Sequence, residues 1–126
     1  MQIGNNFTLK TQELIAQASQ LATNNSHQQI DVIHAFKIML EQTDTLIEPL
    51  LKKLNTDKNK LLSQTENLLK NLPKVEGGNT YISNDFKTTL DEANKIAEKM
   101  GDQYISVEHI LLGFFEINTP VKTILE

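Results

Sequence analysis

Apolar residues recur along this chain with a helical period, and no stretch sustains the two-residue alternation of a strand. Between Phe7 and Asn24, the residues Leu14, Ile15, Ala18, Leu21 and Ala22 fall at three- and four-residue spacing, which predicts an amphipathic helix. Thr8 and Thr11 both qualify as its N-cap. Asn24 to His27 reads as a loop. Asp31 then caps a helix from Val32 to about Gln42, with Ile33, Ala35, Phe36, Met39 and Leu40 as its apolar residues. Thr43, Asp44 and Thr45 break it. A short helix is predicted from Ile47 to Leu54, where Pro49 is tolerable only in the first turn. Thr56 and Asp57 open the next, with Leu61, Leu62, Leu68, Leu69 and Leu72 on one side.

Pro73 ends that helix and begins the one linker-like segment, Pro73 to Thr80, which contains the conformationally free pair Gly77-Gly78. Ser83 caps a long helix to Met100, whose apolar face comprises Phe86, Leu90, Ala93, Ile96, Ala97 and Met100, with Gly101 as its terminator. Ser106 caps a helix from Val107 to about Ile117. Thr119-Pro120 reads as the cap and first residue of a last short helix to Leu125.

Laid on itself with Ala18 against Ala93, the chain registers without a gap. Leu21 and Ala22 then meet Ile96 and Ala97. Gln28, Ile30, Val32, His34 and Glu41 meet Gln103, Ile105, Val107, His109 and Glu116. Each block runs long helix, polar loop, isoleucine, small cap, second helix. The expectation is therefore an all-α fold of two pseudo-symmetric helical repeats packed into one compact domain. Repeat one spans about 7–71, a linker about 72–82, and repeat two about 83–126.

Composition narrows the function. The chain of 126 residues has 12 basic side chains, all lysine, against 16 acidic ones, for a net charge of −4. A nucleic-acid binder needs a basic face and favours guanidinium contacts, so no nucleic-acid partner is expected. The lysines at 52, 53, 58 and 60 are interleaved with Asn55, Asp57 and Asn59 and read as a solvated corner. The lack of cysteine removes disulfides, thiolate metal sites and thiol catalysis. No apolar run approaches the ~20 residues of a membrane span, and Met1 to Asn6 lacks the features of a signal peptide. A cytoplasmic module without membrane contact is expected.

Candidate chemistry is sparse. His34 and Glu41 are seven residues apart, as are His109 and Glu116. On a helix that is about 10 Å along the axis, too far to chelate one ion. The paired histidines read better as equivalent buried-edge positions, and no metal is expected. Asp102 and Glu108 could converge across a loop and a helix start, but no nucleophile or cofactor site accompanies them, so the chain is not expected to be an enzyme. A small hydrolase or metal-dependent enzyme using the histidines is the reading from another class, and metal analysis discriminates it. Leu90, Ile110, Phe114 and Phe115 follow core spacing, with Leu90 the candidate for exposure.

The blocks Ile30-Asp31-Val32-Ile33-His34 and Ile105-Ser106-Val107-Glu108-His109 resemble the paired repeats of the Clp amino-terminal domain family. The linker Leu72 to Gly78, followed by Tyr81-Ile82-Ser83, is similar to the ClpB-type disaggregase branch, as is Gly101 to Glu108. The resemblance runs from Phe7 to Leu125. It implies an amino-terminal domain tethered to AAA+ ATPase modules that form a hexamer, the isolated domain being a monomer. It also implies partners that are unfolded or aggregated polypeptides, engaged through an apolar groove flanked by polar residues. Thr8, Asp102 and Glu108 match polar substrate-binding positions, and Leu90 matches an apolar one. His109 stands where a leucine is common. The last helix of the second repeat is missing, so that repeat is expected to be truncated. The P-loop pattern Gly-x4-Gly-Lys-Ser/Thr is absent, so ATP is expected only in the AAA+ modules and no cofactor in this chain. Adaptor docking, as in ClpA- and ClpC-type unfoldases, is the alternative function.

Overall fold

The computed structural model describes residues 6–126; all but Asn6 of the stretch read above as lacking signal-peptide features lies outside the described residues. Nine elements follow in chain order: α1 (Leu9–Asn24), β1 (Gln29–Ile30), α2 (Val32–Glu41), α3 (Ile47–Lys53), α4 (Lys58–Lys70), β2 (Tyr81–Ile82), α5 (Asn84–Lys99), α6 (Val107–Phe114) and α7 (Pro120–Leu125). The fold is all-α, and side-chain caps account for every helix start but that of α3, where Leu46 offers none. Thr8, not Thr11, caps α1, accepting from the Thr11 N–H. Asp31, Asp57, Ser83, Ser106 and Thr119 cap α2, α4, α5, α6 and α7 through their side-chain oxygens. Helix α6 stops at Phe114, short of the expected Ile117.

The core forms around α2. Eight of its residues are buried, leaving Lys37 and Glu41 as its polar exceptions. A helix apolar nearly all round belongs in the middle of a domain. Helices α1 and α4 pack on α2, α5 packs on α6, and α7 closes against α4 and α2. Lys37 Nζ ties α2 to α4 by bridging Glu41 at 2.7 Å and Glu66 at 2.8 Å. The two sequence blocks meet where the Phe36 and Phe114 rings contact edge to face, 5.7 Å between centroids.

The sequence pattern predicts no strand, yet two short parallel pairings occur. Ile30 pairs with Ile82 in the β1–β2 ladder, and Phe7 forms a single bridge with Ile105. Ile30 and Ile105 are counterparts in the internal register, and so are Phe7 and Ile82. Each block therefore lends its isoleucine to the residue that precedes the long helix of the other. The Ser83 N–H donates to Ile30 O at 3.0 Å and the Thr8 N–H to Ile105 O at 3.1 Å, one exchange repeated by the pseudo-symmetry. The Thr11 hydroxyl adds a buried bond to Ile105 O at 2.9 Å. Pairs of this length leave no alternation to read in sequence.

Gly113 sets the approach of α5 to α6. A Cβ built there would lie 3.1 Å from Thr89 O and 3.5 Å from the Ala93 nitrogen, both backbone atoms of α5. Gly113→Val is expected to wedge the helices apart and cost about 1–3 kcal/mol, read as a lower urea midpoint at unchanged slope. An unchanged midpoint would show that the helices can separate freely.

Candidate functional site

The start of α6 is organised by two hydrogen-bonded groups. The Ser106 N–H donates to His109 Nδ1 at 2.9 Å, while Ser106 Oγ accepts from the His109 N–H, so a histidine completes the capping box. With Nδ1 accepting, the ring proton resides on Nε2, which donates to Asp102 Oδ2 at 2.8 Å. His109 thus clamps the loop after α5 onto α6. That loop begins at Gly101, whose φ of +75° is the left-handed helix stop that glycine adopts without strain.

Around this clamp lies an open cleft of about 390 Å³. Its walls carry Leu46, Met100, Tyr104 and Leu112, all exposed large apolar side chains. Asp102 and Glu108 share the same cleft. Glu108 occupies the first turn of α6, where the helix dipole favours a carboxylate, and its Oε1 also accepts from the Leu46 N–H at the start of α3 at 3.4 Å. The arrangement is an apolar cleft whose lining includes two acidic groups. It can bury aliphatic side chains and accept hydrogen bonds or a cation. Among the described residues no three histidine, aspartate or glutamate side chains converge on a common point.

The structure gathers Asp102, Glu108 and His109 at the cleft but not the other two expected residues. Thr8 caps α1 and bonds Ile105 without lining the cleft. Leu90, the candidate for an exposed groove position, is fully buried at 0% exposure. It lies mid-stripe on α5 with Phe86, Ala93 and Ala97, so core packing claims it. His109 is 4% exposed, and its ring is spent on the clamp. Met100, assigned above to the apolar face of the long helix, is instead 61% exposed because α5 has ended before it. Leu46, Tyr104 and Leu112 went unmarked. Tyr104 falls in the Gly101–Glu108 stretch and Leu112 in the helix after Ser106, and sequence carries no sign that the α3 cap turns Leu46 toward them.

The counterpart of the clamp in the first block uses different chemistry. The Asp31 N–H donates to His34 Nδ1 at 2.9 Å, so His34 Nε2 carries the proton and donates to His27 Nδ1 at 2.8 Å. His27 replaces Asp102 in the register. Its own Nε2–H is buried without an acceptor among the described residues. Burial, then the neighbouring His27, pushes the His34 pKa down from 6.5 to about 4. Burial and then the charge of Lys74 lower that of His27.

Comparison with known proteins agrees with this architecture. The family model for the Clp repeat (R) N-terminal domain matches residues 6–126. The chain is 42% identical over 117 residues to the chaperone protein ClpB of Bacillus anthracis, covering 89% of this chain and 14% of that protein. It is 32% identical over 122 residues to ClpB of Porphyromonas gingivalis, covering 97% and 14%. The chain thus spans about one seventh of the length of these relatives. The Hsp104 N-terminal domain from Candida albicans superposes with a TM-score of 0.84 at 22% identity, over 95% of this chain and 79% of that one. With the capped helix pairs, the exchanged isoleucines and the family match in agreement, this chain belongs to the Clp repeat N-terminal domain family and is similar to the N-terminal segment of ClpB chaperones.

Proposed function

We propose that this domain is the non-catalytic substrate-binding module of a ClpB-type disaggregase, and that the cleft at the start of α6 docks exposed segments of unfolded or aggregated polypeptide. The observation that carries the reading is the grouping of Leu46, Met100, Tyr104 and Leu112 in the open beside two carboxylates. Monomeric domains leave such patches open mainly where something binds. Aliphatic burial supplies roughly 25 cal/mol per Å² before ordering costs, so a shallow cleft binds weakly. Tethering to a hexameric ring raises the local concentration and suits weak contacts. Asp102 and Glu108 add acceptors for backbone N–H groups and for lysine or arginine. The domain needs no cofactor or metal in this reading, works in the cytoplasm as part of a longer ATPase, and has no nucleic-acid or membrane role. ClpB relatives support the chaperone assignment. An adaptor-docking role in a ClpA- or ClpC-type unfoldase would use the same fold.

The test is an NMR titration of the labelled domain with a reduced, alkylated, lysine-containing client protein. Shifts are expected at Met100–Tyr104, Glu108–Leu112 and Leu46. Glu108→Lys should weaken binding at least fivefold while costing only about 1 kcal/mol of stability through the helix dipole. Shifts confined to other faces overturn the site. Capture of one folded adaptor with no response to the unfolded client favours the alternative.

A further inference from the structure

The pseudo-symmetry that relates the two blocks also relates their surfaces, and the linker borders one of the two. Asp102, Gln103, Tyr104 and Ser106 line the open cleft; their counterparts in the first block are His27, Gln28, Gln29 and Asp31. Those four residues line a smaller cleft of about 270 Å³, whose remaining wall is Leu72, Pro73 and Val75 of the linker. Asn25 and Lys37, the counterparts of Met100 and Leu112, border an adjoining cleft together with Lys74 and the end of α4. The linker therefore lies along the first-block surface that corresponds to the open cleft of the second.

Its seating is specific. The Val75 N–H donates to Ser26 O at 2.8 Å. Ser26 has φ +59°, and its counterpart Gly101 has φ +75°, so the two carbonyls follow the same left-handed turn. Among the described residues no backbone N–H reaches Gly101 O. Pro73 disfavours the helical region for the residue before it and presets its own φ, so the segment reaches this geometry at a low entropic cost. Lys74 stands near enough to His27 for its charge to act on the imidazole. In the second block that register position holds the Asp102 carboxylate, which turns an unfavourable neighbour into a favourable one. One oxygen of Asp102 is bonded to His109, and the other takes no bond from the described residues.

We propose that the open cleft takes an extended peptide of the pattern aliphatic–proline–basic–aliphatic, seated as Leu72-Pro73-Lys74-Val75 is seated on the first block. The N–H of its last aliphatic residue is donated to Gly101 O, and its basic side chain faces Asp102. The linker is then an internal replica of the ligand. This inference rests on the docking role proposed above and adds the chemistry of the docked segment.

The probe is the hexapeptide of residues Asn71–Glu76, acetylated and amidated, titrated into the labelled domain. Saturable shifts are expected at Met100–Ser106 and Glu108–Leu112. The same peptide with glutamate in place of its lysine should bind at least fivefold more weakly. Asp102→Asn, which keeps an acceptor for His109, should remove that preference. Absence of saturation at several millimolar, equal binding of the two peptides, or shifts at Gln28–Asp31 from displacement of the linker would each overturn the proposal. So would shifts that grow with protein concentration alone, since a second copy would then fill the cleft. If the unfolded client still perturbs the cleft while the hexapeptide does not, this inference fails by itself. If neither does, the docking role fails with it.

Discussion

Between pH 7 and pH 4 the domain is expected to lose roughly 3 kcal/mol of stability through His34, about 2 of it already by pH 5. The folded pKa of about 4 lies below the ordinary value of 6.5. Between the two, the unfolded chain holds more protons on this residue than the folded one, so stability falls as pH falls. The geometry gives the cause. His34 is fully buried, and both ring nitrogens are engaged, Nδ1 accepting from the Asp31 N–H and Nε2 donating to His27. A second ring proton would have to displace the capping bond. His27 contributes in the same direction, since burial and Lys74 lower its pKa as well. The two share one hydrogen bond, so their effects do not simply add. Urea titrations at pH 7, 6 and 5 measure the loss directly. His34→Gln can still accept the Asp31 bond at the N3 position but does not titrate. It should be less stable at pH 7 and show a flatter slope to pH 5. Equal slopes in both proteins would remove His34 as the cause.

The internal register made much of this fold legible. It pairs His34 with His109 and the isoleucines with each other from sequence alone. The caps were equally plain, because a serine, threonine or aspartate before an apolar run has one local role. The β pairings were not legible. Each consists of one or two residues whose partner lies far away in the chain, in the other block, and such contacts leave no periodic trace. The histidine pair was partly legible. His27 and Asp102 each stand seven residues before the paired histidine, and applying the register to the loop would have shown that the two clamps differ.

The site was harder to read than the fold. Asp102, Glu108 and His109 were marked through resemblance, and the structure brings them to one cleft. Leu90, expected at an exposed groove position, is buried instead. Leu90 belongs to the i, i+3, i+4 stripe of α5, and a residue in the middle of such a stripe packs inward. Leu112 faces outward from within α6, but Met100 is exposed where α5 has ended and Leu46 before α3 begins. Periodicity carries no information at the latter two positions, because there the chain leaves the helical path that periodicity describes.

Phe36→Ala should cost about 3–5 kcal/mol, the largest effect expected of any single truncation discussed. Phe36 is fully buried on α2 in the first block, and its ring meets Phe114 of α6 in the second. The register places Leu111 at the counterpart of Phe36 and Met39 at that of Phe114, and all four side chains are buried to within 1%. Truncation leaves a cavity between the blocks and removes an edge-to-face contact worth about 0.5–1.5 kcal/mol. The exchanged isoleucine pairings run through the same junction, so the two blocks should unfold in one transition. Labels near His34 and near His109 should therefore report the same urea midpoint, displaced equally by Phe36→Ala. Neither Phe36 nor Phe114 lines the cleft, which takes Glu108, His109 and Leu112 from α6, so its geometry should stay intact in molecules that remain folded. Client binding per folded molecule should then match that of the parent domain, with only the folded fraction reduced. Two separate midpoints would show that the blocks fold independently. An affinity loss beyond the unfolded fraction would show that the core junction sets the shape of the cleft as well as its stability.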